Sequence, residues 1–174
     1  IQGDKPFFSN ISRLSGISST DWSWGPLLAD LDNDGWKDLF ISNGIRREIN
    51  HRDFFNDIKL RPMSSDSLLY YTEQMPSEAI ANFTFQNNSD LTFTDVSESW
   101  GLDQKNFSNG ATYADLDNDG DLELIVNNVD QEAQIYRNNS TNNFIKVKLK
   151  GSDQNLIGID SRVFVKLSLI HISE

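Results

Sequence analysis

The sequence predicts an all-β chain made of four-stranded antiparallel sheets, repeated along the chain and interrupted by one helical insertion. Two observations carry that prediction. The heptapeptide Ala29-Asp30-Leu31-Asp32-Asn33-Asp34-Gly35 recurs letter for letter as Ala114-Asp115-Leu116-Asp117-Asn118-Asp119-Gly120, an offset of 115 − 30 = 85 residues. Each copy is bracketed by short apolar runs: Gly25-Pro26-Leu27-Leu28 and Leu39-Phe40-Ile41 around the first, Gly110-Ala111-Thr112-Tyr113 and Leu124-Ile125-Val126 around the second. Short runs rich in β-branched and aromatic residues, separated by a Gly-containing turn, read as strand, loop, strand.

Two more strand candidates follow each hairpin. They are Asn82 to Gln86 and Leu91 to Val96 after the first, then Ala133 to Arg137 and Phe144 to Leu149 after the second. Four antiparallel strands per repeat make a β-propeller blade, and two blades make only an incomplete propeller. Between the second and third strands of the first repeat, residues 45–81 intervene. The spacing of Phe54, Phe55 and Ile58, and of Leu68, Leu69 and Tyr71, predicts two short helices there. The organisation expected is a first blade over 1–44 and 82–97, its helical insertion over 45–81, and a second blade over 98–142. A final strand opens a further domain over 143–166, and a tail covers 167–174.

The chain of 174 residues carries a formal net charge of −11, which repels nucleic acid and favours cations as partners. With no cysteine there is no disulfide, zinc-thiolate site or cysteine nucleophile. No apolar stretch reaches membrane-spanning length and no signal peptide is visible, while the start at Ile1 rather than Met reads as a piece of a longer chain. Glycosylation sequons occur at Asn10, Asn82, Asn87, Asn106, Asn138 and Asn139, though these asparagines also read as ordinary polar turn residues.

The repeated loops carry the chemistry. In the first, Asp30, Asp32, Asp34 and Asp38 can turn toward one point, Gly35 permits the bend, and the Trp36 carbonyl adds an oxygen. The second offers Asp115, Asp117 and Asp119, the Asp121 carbonyl, and Glu123 where the first has Asp38. Converging carboxylates repel unless an ion joins them, and an oxygen-only donor set favours Ca²⁺, hence two calcium sites. The plain alternative is an Asn-Asp-Gly turn at a hairpin tip. An EF-hand is excluded, because its twelfth loop position needs a bidentate Glu and this chain has Ile41 and Val126 there.

These loops resemble the D-x-D-x-D-G-x-x-D calcium loop of the FG-GAP or VCBS repeat family, which joins the first two strands of integrin-type propeller blades. Thr20-Asp21-Trp22-Ser23-Trp24-Gly25, Asn87-Asn88-Ser89-Asp90-Leu91-Thr92-Phe93 and Ser108-Asn109-Gly110-Ala111 resemble the ASPIC/UnbV group of that family, relatives of cartilage acidic protein. Residues 143–166 are similar to the opening of the ASPIC/UnbV domain, with Asp160 and Ser161 replacing its usual Gly-Ala. The resemblance implies a calcium-binding segment of a bacterial secreted, cell-surface or periplasmic protein, serving as a non-catalytic adhesion scaffold for a protein or glycan. The alternative is the non-catalytic propeller part of a polysaccharide-active enzyme. The closing residues 167–174 resemble a translated sequencing adapter.

Catalysis finds little support. The histidines are His51 and His171, with no Ser-His-Asp or HExxH arrangement. Glu48, Asp53 and Glu73 in the insertion read as solvated helix charges rather than a glycosidase acid pair. Trp22, Trp24, Trp36 and Trp100 could stack on sugar rings or serve as core.

Overall fold

The computed structural model describes residues 8–61, 64–151 and 155–165, so the adapter-like tail at 167–174 lies outside the described residues. The chain divides after Phe144 into two units. The first is mostly β. Its strands are β1 (Ser23–Ala29), β2 (Asp38–Asn43), β3 (Ile80–Ala81), β4 (Phe83–Asn87), β5 (Phe93–Asp95), β6 (Lys105–Asn106), β7 (Ser108–Ala114), β8 (Glu123–Asn128) and β9 (Gln134–Tyr136). Two helices, α1 (Arg52–Lys59) and α2 (Ser65–Glu73), fall in the insertion between β2 and β3.

All strand pairing is antiparallel, in a four-stranded sheet β1-β2-β4-β5, a two-stranded ladder β3-β6 and a three-stranded sheet β7-β8-β9. The repeat seen in the sequence is a repeat of register. Leu28 faces Leu39 as Tyr113 faces Leu124, and both hairpins slip register at their open end, between Ser23 and Pro26 and between Ser108 and Gly110. The third sheet departs from expectation. Its fourth strand, expected over Phe144 to Leu149, is not formed, and residues 143–150 have no regular structure. Among the described residues of the second unit, 145–151 and 155–165, there is neither helix nor strand.

Side chains alternate across a strand, so β2 can feed two cores at once. Phe40 points into a cluster with Leu102, Leu124 and Val126, flanked by Leu27, Trp100, Ala111 and Tyr136; this cluster packs the first sheet on the third. Leu39 and Ile41 point the other way, against Phe85, with Ile17, Phe83 and Phe93 around them. Every residue of β2 is buried. A strand flanked on both edges and covered on both faces reads as a continuous apolar run, as Leu39-Phe40-Ile41 does.

At the end of the sheets away from the Asp loops, the two repeats are joined by buried polar side chains. Asn82 Oδ1 accepts from the Asn43 backbone N–H at 2.8 Å, and Asn82 Nδ2 donates to Ser108 Oγ at 3.1 Å. Ser108 Oγ donates in turn to Asn128 Oδ1 at 2.8 Å, and the matching pair in the first repeat, Ser23 and Asn43, makes the same bond at 3.1 Å. Buried amides and hydroxyls are tolerated because each finds a partner. Gly44, just beyond β2, lies so close to the neighbouring chain that an added Cβ would stand 2.8 Å from Asn106 O and Phe107 Cα, and its φ is +124°. Both the clash and the backbone angle oppose a side chain, so Gly44→Ala should cost about 2 kcal/mol or more in urea unfolding. A loss below about 0.5 kcal/mol would show that the two segments do not meet there.

In the insertion, α1 is capped by His51, whose Nδ1 accepts from the Phe54 N–H at 3.2 Å, and it buries Ile58. A Ser64–Ser67 capping box opens α2. Among the described residues no helix is long and apolar enough to cross a membrane.

Candidate metal centre

Each Asp loop joins the first two strands of its sheet, β1 to β2 and β7 to β8. The bend is the same in both: Gly35 has φ +93° and Gly120 φ +95°, preceded by Asn33 at +58° and Asn118 at +65°. Two left-handed residues this close need Gly and Asn, which is why the pair Asn-Asp-Gly is repeated.

Carboxylates hold the turn. Asp32 Oδ1 accepts from Asp34 N at 3.1 Å and Asp34 Oδ1 from Trp36 N at 2.7 Å. In the second loop, Asp117 Oδ1 accepts from Asp119 N at 3.4 Å and Asp119 Oδ1 from Asp121 N at 3.3 Å. Asp30 adds bonds from Asp34 N and Gly35 N, both at 3.0 Å.

The last acidic residue plays one role in both copies. Asp38 accepts from Leu31 N and from Asn87 N, each at 3.0 Å. Glu123, its counterpart, accepts from Leu116 N at 2.7 Å and from Asn138 N at 3.4 Å. Each therefore ties the start of its loop to the end of its sheet's third strand. Asp38 is fully buried, and burial pushes its carboxyl up to about 6 despite the two N–H donors.

One carboxylate oxygen each from Asp30, Asp32 and Asp38 lies within 4.8 Å of the others; so do single oxygens of Asp117, Asp119, Asp121 and Glu123. Asp34 and Asp115 are not in these groups. Asp121 enters with its side chain, whereas the sequence pointed to its carbonyl. That side chain is 3% exposed, its Oδ2 accepts from Ser140 N at 3.0 Å, and its Oδ1 has no hydrogen-bond partner. Burial, and then the neighbouring Asp119, push the Asp121 carboxyl up to about 6, while Asp119 is held low by the Asp121 N–H. A buried carboxylate oxygen without a donor, beside three other acidic oxygens, has the chemistry of a hard-cation ligand. The Trp36 indole, half exposed, stands on the outside of the first loop.

Sequence reasoning passed over the residues that support these acids. Gln86 Nε2 donates to Asp32 Oδ2 at 2.7 Å, and Arg137 Nη2 pairs with Asp117 Oδ2 at 3.2 Å. The signal was present: Asn87-Asn88-Ser89 and Asn138-Asn139-Ser140 are a second repeated string, the first starting on the last residue of β4 and the second just beyond β9.

Beside the loops a cleft of about 610 Å³ is lined by Asp32, Gln86, Trp100, Tyr136, Arg137 and Asn142, among others. The Tyr136 hydroxyl is buried there without a hydrogen-bond partner. Comparison with family models finds no match, and no curated protein matches the chain.

Proposed function

We propose that the chain is a calcium-binding segment of a β-propeller of the FG-GAP/VCBS type, acting outside the cytoplasm as a non-catalytic scaffold for a protein or glycan. One observation carries the metal reading most directly: the buried Asp121 Oδ1 has no donor and shares its surroundings with acidic oxygens of Asp117, Asp119 and Glu123. The side chains are all oxygen donors, and loops that already hold their shape by backbone N–H bonds suit the high, loosely defined coordination of Ca²⁺ better than the strict octahedron of Mg²⁺. Partly exposed loops of this kind match the weaker, roughly 10⁻⁴ to 10⁻³ M, calcium affinities of extracellular modules.

In this reading Asp30, Asp32 and Asp38 would serve one ion, and Asp117, Asp119, Asp121 and Glu123 the other. The cation supplies charge neutralisation; the backbone bonds already present aim the carboxylates. His51 supports a non-catalytic role, since its Nδ1 caps α1. The cleft supports a glycan among possible partners, because it is lined by Trp100 and Tyr136 together with the polar residues Gln86, Arg137 and Asn142.

Calorimetric titration of the chain with calcium, repeated in a tenfold excess of magnesium, tests the metal reading. Binding should be seen in both, and Asp119→Ala should remove one of two equivalents. Absence of calcium binding would leave the loops as hairpin turns.

A further inference from the structure

We infer that Ser140 and Asn142, in the segment that follows β9, couple the two acidic loops, so that an ion in the second loop raises the affinity of the first. The inference rests on the reading that the loops take divalent cations. It adds positioning residues outside either loop.

The segment holds both loops through single side chains. Asn138 Nδ2 donates to Leu31 O in the first loop at 2.6 Å and to Leu122 O beside the second at 3.2 Å. Ser140 Oγ donates to Asp32 O at 2.9 Å, while its own backbone N–H donates to Asp121 Oδ2 at 3.0 Å. Asn142 Nδ2 adds a second bond to Asp32 O at 2.7 Å. Arg137 reaches Asp117, and one direct bond, Asn33 Nδ2 to Gly120 O at 3.3 Å, crosses between the loops themselves.

The sign of the coupling follows from the division of work on Asp121. Its Oδ2 already accepts from Ser140, and its Oδ1, buried and without a donor, is the atom left to face an ion. An ion bound to Oδ1 would fix the orientation of the Asp121 carboxylate, and so keep its Oδ2 on the Ser140 N–H and hold Ser140 in place. Ser140 in turn fixes the Asp32 carbonyl, and with it the backbone from which the Asp32 carboxylate projects. The first loop then loses less freedom when its own ion binds, which appears as higher affinity.

Each loop contains a single glycine, Gly35 or Gly120, so their backbone amide resonances read the loops separately as the whole chain is titrated with calcium alone. In the wild-type background Asp119→Ala, at an exposed position, should raise the calcium concentration that half-saturates the Gly35 signal about tenfold. In the double variant Ser140→Ala, Asn142→Ala, which cuts the side-chain bonds to Asp32 O but keeps the Ser140 N–H on Asp121, the same change should move Gly35 less than about twofold. Asp119→Asn, which keeps the oxygen that accepts from Asp121 N, replaces the alanine variant should the loop unfold.

A Gly35 midpoint indifferent to Asp119→Ala would overturn the coupling. So would a tenfold effect that persists in the double variant. Both results leave calcium binding intact, whereas amides of Gly35 and Gly120 that ignore calcium in the wild type would overturn coupling and metal reading together.

Discussion

Saturating calcium is expected to raise the melting temperature of the chain by about 10–20 °C at pH 7, and by much less at pH 5. Two sites filled to about a hundred times their dissociation constants contribute about 2.7 kcal/mol each, and a chain of this size shifts roughly 2–4 °C per kcal/mol. The pH dependence comes from Asp38 and Asp121, whose carboxyls burial raises from 3.8 to about 6 in the ion-free fold. A raised carboxyl binds its proton more tightly folded than unfolded. Its contribution is therefore fully present below the unfolded value near 4 and is lost as pH rises through about 6. Without calcium the fold should accordingly weaken between pH 5 and pH 7, by on the order of 1 kcal/mol for each of these buried groups. Calcium reverses the trend, because the deprotonated form that burial penalises is the form the ion binds. Melting curves in calcium, magnesium and EGTA at both pH values measure this. An ion-free protein as stable at pH 7 as at pH 5 would contradict the burial of these two carboxyls.

Phe40→Ala should cost about 3–5 kcal/mol, the largest loss expected from any single side chain. Phe40 is 1% exposed and sits on the central strand β2, where it packs on Leu124 and Val126 of the opposing sheet. Truncating it removes the aromatic surface and leaves a cavity between two sheets whose backbones are held by their own ladders, so little collapse can fill the gap. Total stabilities of domains run about 5–15 kcal/mol, and such a loss could unfold the ion-free chain at room temperature. Leu28 on the adjacent strand is 54% exposed, and Leu28→Ala should fall within about 0.5 kcal/mol of wild type. Urea midpoints for the two variants make the comparison, and equal losses would mean that the sheets do not pack through Phe40.

What the sequence made legible is what local pattern determines. The hairpins around the Asp loops were readable because apolar runs flank a turn that Gly35 and Gly120 alone can make, and α1 because Phe54, Phe55 and Ile58 keep helical spacing. Phe144 to Leu149 alternates like a strand yet forms none, since alternation states a preference and a ladder needs an adjacent edge in register. The acidic residues were found by spacing, but which oxygen of Asp121 faces the group depends on Ser140, nineteen residues away in the chain. The buried amides escaped notice for a similar reason: Asn43, Asn82 and Asn128 look like turn residues until their partners, brought from other strands, are known.

The amide link between the repeats has a direction. The first repeat supplies Asn82 and the second receives it on Ser108, a head-to-tail joint of the kind that can in principle be extended indefinitely along an array. Leu39 pairs with Phe85 as Leu124 pairs with Tyr136, which makes Ala133 the counterpart of Asn82. Where the first repeat offers its neighbour a carboxamide, the second offers a methyl group. A third repeat placed after the second could not be joined by the same bond. In the vocabulary of polymers, Asn82 is a propagating end and Ala133 a terminator.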